Sequence, residues 1–256
     1  MKKVYLFLAV FLCINVVIYG QEIQMTETAS LEQVYEDITE SETLLPFNDL
    51  NIEFGYVLYK AEINIEEENT ELEIENVRDY AVVFLEGKLQ GVLTDNKKKI
   101  TINIAPGKYV LELYVENIGR ITYGPEILDN SKGLFGSITI DGEDVSNWEI
   151  IPLNIKECDM NKLQFTTEQA DERPSFHKGF LEVTNPKDTY LDISGWGMGE
   201  VWINGVYLGS YWEEEKQQSI QVSESILKQG SNEVIVFELK NNKQRLMKLS
   251  NQPLFK

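Results

Sequence analysis

Residues 199–212 read GEVWINGVYLGSYW. An apolar-rich run, the pair Asn204–Gly205 and a second run make a β-hairpin, because Asn-Gly is the pair that most readily takes the φ > 0 angles of a tight turn. Earlier in the chain AVVFLEGKLQGVL (81–93) lies over the same pattern. Gly87 matches Gly205, Gly91 matches Gly209 and Phe84 matches Trp202, each at a separation of 118 residues. Further on, GKYVLELYVEN (107–117) resembles GSNEVIVFELKN (230–241), at a separation of 123–124. Two related segments in the same order point to a duplicated β-sandwich. In each copy one glycine closes the turn and the other permits a bulge or a close strand approach.

Working outward, the stretches around these hairpins are short and alternating: YVLYKAEINI, ITINIAPG and GSITIDG in the first half, GFLEVT, TYLDISG and SIQVS in the second. Gly, Asn and Asp punctuate them about every eight to twelve residues, the spacing of a β-sandwich. A less regular stretch, NIKECDMNKLQFTTEQADERPSFH, separates the halves. The expected fold class is all-β, with two tandem jelly-roll sandwiches. The expected division is a signal peptide over 1–20, an acidic linker over 21–45 with a short helix near Leu31–Ile38, a first sandwich over 46–155 and a second over 156–256.

The segment Met1–Gly20, MKKVYLFLAVFLCINVVIYG, has two lysines, an apolar run and a small terminal residue, which makes it an export signal and too short for a membrane anchor. Export to a periplasm or to the medium is therefore expected. Cleavage after it would remove Lys2 and Lys3 and take the formal charge from −19 to −21. So acidic a chain repels nucleic acid and anionic membranes, and suits neutral partners such as sugars. One cysteine, Cys158, would remain, so no internal disulfide is expected and packing must supply the stability.

Within the hairpin, Val201 and Ile203 point to one face and Trp202 to the other. Because Phe84 holds the place of Trp202 in the first copy, that position is a packing site. Tyr211 and Trp212 have no counterpart, since Leu93 and Thr94 stand there, and they lead into the acidic loop EEEK (213–216). At an exposed rim they would stack on the CH face of a sugar or anchor the loop. Trp196, in the glycine-rich SGWGMG (194–199), is a further candidate for stacking or packing, and Asn204 a nearby polar one. Trp196, Asn204, Tyr211 and Trp212 are the candidate carbohydrate-binding residues. A lone histidine, His177, with one other soft ligand cannot make a zinc site, and DGEDVSN (141–147) reads as a turn more readily than as a calcium loop. No cofactor is expected.

Several stretches resemble the C-terminal β-domains of the family 35 glycoside hydrolases, the β-galactosidases. They are LPFNDLNIEFGYVLYK (45–60), VRDYAVVFLEGKLQGVL (77–93), YVENIGRITYGPEI (114–127), KGLFGSITIDG (132–142), WEIIPL (148–153) and PSFHKGFLEV through DTYLDISGWGMGEVWINGVYLGSYW. The last of these resembles a galactose-binding-like jelly roll. The resemblance implies a carbohydrate partner of galactoside type, or a separate glycoside hydrolase on which these domains dock. The family's chemistry sits on an N-terminal (β/α)₈ barrel of about 250 residues with two catalytic glutamates, and no βαβ alternation occurs in this sequence. Hydrolysis by this chain alone is not expected. The sequence departs from the family pattern at Ser210, where Arg is common, and at Glu215 and Lys216, where Gly-Pro commonly precedes the equivalent of Gln217.

Overall fold

The computed structural model describes residues 21–119, 131–168 and 171–256. The expected export signal and the RITYGPEI portion (120–127) of the resemblance lie outside these residues. The strands in chain order are β1 (Glu22–Ser30), β2 (Thr39–Ser41), β3 (Gly55–Ile65), β4 (Thr70–Arg78), β5 (Tyr80–Leu85), β6 (Lys88–Thr94), β7 (Lys99–Ile102), β8 (Gly107–Asn117) and β9 (Gly133–Ile140). They continue with β10 (Glu143–Asp144), β11 (Trp148–Leu153), β12 (Ser175–Val183), β13 (Thr189–Asp192), β14 (Met198–Ile203), β15 (Val206–Trp212), β16 (Ser219–Val222), β17 (Gly230–Glu238) and β18 (Leu246–Ser250). The all-β expectation holds.

The first domain is a four-stranded sheet, β10-β9-β4-β7, over a six-stranded one, β2-β11-β3-β8-β5-β6. The second is an eight-stranded sheet in the order β15-β14-β17-β12-β1-β18-β13-β16. It doubles back at β1, whose Met25–Ser30 half pairs with β12 while Glu22–Gln24 pairs with β18. The internal repeat is real in three dimensions. β6-β5-β8 and β15-β14-β17 share one arrangement, and each hairpin slips register at the matched place, after Val83↔Gly91 and after Val201↔Gly209. Glu86–Gly87 and Asn204–Gly205 all have positive φ, as a tight hairpin turn requires.

Strand alternation sorts the side chains into three cores. Val57, Tyr59, Ala81, Val83, Leu111, Leu113 and Val115 fill the inside of the first sandwich. Val201, Ile203, Val234, Val236 and Trp196 fill the second. The opposite faces of the same strands, Tyr56, Leu58, Tyr80, Val82, Phe84 and Tyr114 from one domain and Met198, Trp202, Ile235 and Phe237 from the other, bury each other in a third core between the domains. This explains why YAVVFL and MGEVWI are buried at every position. A strand covered on both faces needs apolar residues at odd and even places alike. Phe84 and Trp202 both lie in this interface, as the packing assignment for the matched pair required.

One expectation is corrected. Residues 22–30 are not linker but the strand β1, which lies between β12 and β18. The helix expected near Leu31–Ile38 is a single 3₁₀ turn, Leu31–Val34. Ile23 and Met25 enter the second core, while the acidic side chains of Glu22 and Glu27 point outward to Lys248 and Lys178. Two apolar residues in alternation are a faint local signal; backbone pairing on both sides makes the strand.

Candidate functional site

The two domains meet at a cavity of about 230 Å³ bordered by Glu116 of β8, Met198 of β14, Ser210, Tyr211 and Trp212 of β15, and Glu215 and Gln217 of the loop that follows. Its wall is held by Glu238, which is fully buried at the end of β17. This carboxylate accepts from the backbone N–H groups of Gly197 (2.8 Å), Met198 (3.2 Å), Lys240 (2.7 Å) and Asn241 (2.9 Å) and from the Tyr211 hydroxyl (3.0 Å). Burial raises the pKa of Glu238 against those donors, which favour the anion. Gly199 lets β14 approach this point, because a Cβ there would run into the Phe237 carbonyl and the Tyr211 hydroxyl. Trp212 sets its ring edge against Tyr80 of the first domain, with centroids 5.8 Å apart.

Behind the cavity two glutamates from different domains converge on one phenol. The Tyr56 oxygen lies 3.0 Å from Oε1 of Glu116 and 2.8 Å from Oε1 of Glu200. Glu200, fully buried, also receives the Tyr207 hydroxyl at 2.7 Å on Oε2 and the Lys156 ammonium at 3.0 Å on Oε1. Glu116 is only 5 % exposed, and its Oε2 has no hydrogen-bond partner among the described residues. Burial, and next the charge of Glu200, push the Glu116 carboxyl up to about 8. A phenol has one proton, so it donates to one carboxylate at a time; a protonated Glu116 donates into the phenol oxygen while Tyr56 donates to Glu200. The indole Nε1 of Trp212, a residue that also borders the cavity, is likewise buried without a hydrogen-bond partner among the described residues.

Two close glutamates invite comparison with the pair a retaining glycosidase uses. That chemistry needs both carboxylates to flank the scissile bond. Here only Glu116 borders the cavity, while both oxygens of Glu200 are engaged behind it.

Of the four residues proposed from the sequence, two come together here and two do not. Tyr211 and Trp212 border the cavity, Tyr211 buried and Trp212 half-buried. Trp196 is 1 % exposed, donates its indole N–H to the Leu246 carbonyl at 3.0 Å and packs edge-on to His177, so it offers no face to a sugar. Asn204 sits in the turn with φ 52°, and its amide is fully engaged by Ile226, Asn232 and Glu233. Sequence reasoning missed Glu116, Glu200 and Tyr56. The available signal was YVLELYVEN, where Leu111, Leu113 and Val115 alternate with Glu112, Tyr114 and Glu116. A Glu-Tyr-Glu face looks solvated until a second domain covers it. A larger cavity, about 530 Å³, lies beside Phe54, Asn117 and Lys132. Of its polar groups, Asn117 bonds Glu53 and Gly119, and Lys132 bonds both oxygens of Asp79.

Residues 45–154 match the family model described as the β-galactosidase first all-β domain, and residues 174–232 match the β-galactosidase galactose-binding domain. Among curated proteins the chain is 30% identical over 203 residues to a β-galactosidase of Xanthomonas manihotis, covering 78% of this chain and 33% of that one. It is 33% identical over 200 residues to β-galactosidase-1-like protein 2 of Homo sapiens, covering 76% and 31%. It is also 33% identical over 223 residues to the β-galactosidase of Bos taurus, covering 77% and 34%. The chain spans about a third of the length of these relatives.

Proposed function

We propose that this chain, which carries the two β-domains of the β-galactosidase family, is an exported, non-catalytic module that binds carbohydrate of galactoside type in the cleft between those domains. The observation that carries this reading is the pairing of Trp212 with unsatisfied polar groups at the cleft: an aromatic ring for the apolar face of a sugar, and a donor and an acceptor for its hydroxyls. The volume, about 230 Å³, suits one monosaccharide unit. The export signal over 1–20 and the formal charge of −19 support a role outside the cytoplasm with a neutral partner. The non-catalytic part of the reading is supported by the engaged state of Glu200 and by the fact that the family matches fall on β-domains. Calorimetric titration with galactose and lactose is expected to give saturable millimolar binding that Trp212→Ala abolishes, with no turnover of a chromogenic galactoside. Absence of heat at millimolar sugar sinks the binding reading, and turnover sinks the non-catalytic one.

A second reading, docking on a separate glycoside hydrolase, is favoured by Phe54 and Ile118, 57% and 55% exposed on neighbouring loops of the first domain. Sedimentation of the protein with and without such a hydrolase separates the two.

A further inference from the structure

We propose that the cleft prefers a sugar bearing a free ammonium group, a hexosamine, over the neutral hexose, with Glu116 as the group that receives the ammonium. This rests on the carbohydrate-binding reading above and sharpens it. The argument is one of charge. Around Glu116 stand two other carboxylates, Glu200 and Asp79, and each has its own cation: Lys156 lies 3.0 Å from Glu200 and Lys132 lies 2.7 Å from Asp79. Glu116 makes no ion pair among the described residues, and Glu215 adds a further carboxylate to the cleft, whose described lining contains no Lys, Arg or His. A buried carboxylate without a cation is costly, and a ligand ammonium supplies what is missing.

The second unsatisfied group narrows the ligand. Trp212 Nε1 is a donor and needs an acceptor, while Glu116 Oε2 is an acceptor and needs a donor. A hexosamine carries both on adjacent carbons, an ammonium that only donates and a hydroxyl oxygen that accepts. The indole face adds attraction for the cation. In the fold Glu116 keeps its proton near neutral pH, its carboxyl held up by burial, Glu200 and Asp79 against Tyr56 and Lys156. Binding an ammonium restores the anion, so one proton leaves the protein as the sugar enters.

The test is calorimetric titration of the whole protein with galactosamine, N-acetylgalactosamine and galactose, which share one skeleton. Galactosamine is expected to bind at least tenfold tighter than the other two, and Glu116→Gln to erase that preference. Galactosamine alone should release a proton, read as a heat that varies with the ionisation enthalpy of the buffer; this arm uses the unaltered protein and stands even if Glu116→Gln fails to fold. Equal binding of all three sugars overturns the proposal and leaves the carbohydrate reading intact. A preference that survives in Glu116→Gln, or no buffer-dependent difference, also overturns it. If none of the three binds, the carbohydrate reading itself has failed and this proposal falls with it.

Discussion

The phenol of Tyr56, at the start of β3 in the first domain, lies 2.8 Å from Oε1 of Glu200, in the middle of β14 in the second. Both residues are buried, and 144 positions of sequence separate them. The contact joins the domains at the back wall of the candidate cleft, so the shape of the cleft depends on the domains staying locked together.

Removing that phenol should therefore be felt as a loss of coupling between domains. Tyr56→Phe strips the Glu116 carboxyl of its only hydrogen-bond partner among the described residues and Glu200 of one of three. A cost of about 2 kcal/mol is expected for the buried polar groups left behind. In a double-mutant cycle with Glu200→Gln, measured by urea unfolding, the two changes should be non-additive by about 1 kcal/mol. Strict additivity would mean the bond is absent in solution.

Glu116 predicts a stability that declines on the alkaline side. Its carboxyl sits at about 8 in the fold against an ordinary 4.5, so between these values the folded protein holds a proton that the unfolded chain has lost. Stability is complete below 4.5 and is lost as pH rises through 8, by at most about 1.4 kcal/mol per pH unit. Urea midpoints from pH 5 to 9 should show this slope in the natural protein and a flatter profile in Glu116→Gln.

His177 has the opposite sign. Burial lowers its imidazole to about 4, with Arg245 opposing the charge further and the Asn242 amide at 3.0 Å favouring it. The unfolded chain takes up a proton near pH 6.5 and the folded one does not, so stability held above 6.5 is lost as pH falls towards 4. The loss amounts to about 3 kcal/mol. As His177 is the sole histidine, its ring protons give an isolated NMR signal, expected to titrate near 4. A midpoint near 6.5 would show that the ring is not enclosed.

The strand β1 predicts a contrast between two isoleucines. Ile23 is fully buried in the second core, while Ile38 is more than half exposed. Ile23→Ala should cost about 3 kcal/mol, and Ile38→Ala no more than about 0.5 kcal/mol. Equal, small effects on the thermal midpoint would return residues 22–30 to the status of a linker.

The fold was legible where one residue's chemistry dictates the local geometry. Asn204–Gly205 and Glu86–Gly87 mark the turns, and alternation such as Val201, Trp202, Ile203 assigns faces without knowledge of the partner sheet. The site was legible only in part. Tyr211 and Trp212 stood out because the first copy of the repeat lacks them. Trp196 looked available because a glycine-rich loop is normally a surface feature, yet the five donors gathered on Glu238 fold that loop inward, and Trp196 fills the core. Glu116 was indistinguishable from the other acidic residues of an acidic chain.

By itself the sequence determined the turns, the strand alternation, the internal duplication and hence two β-sandwiches, because these follow from backbone angles and neighbours a few residues apart. Tertiary structure alone decided that β1 belongs to the second sheet, that the outer faces of two sandwiches bury each other, and that Glu116 and Glu200 meet on the Tyr56 phenol. Those facts depend on residues more than a hundred positions apart being brought out of water together, and burial, not residue type, turns an ordinary glutamate into a site.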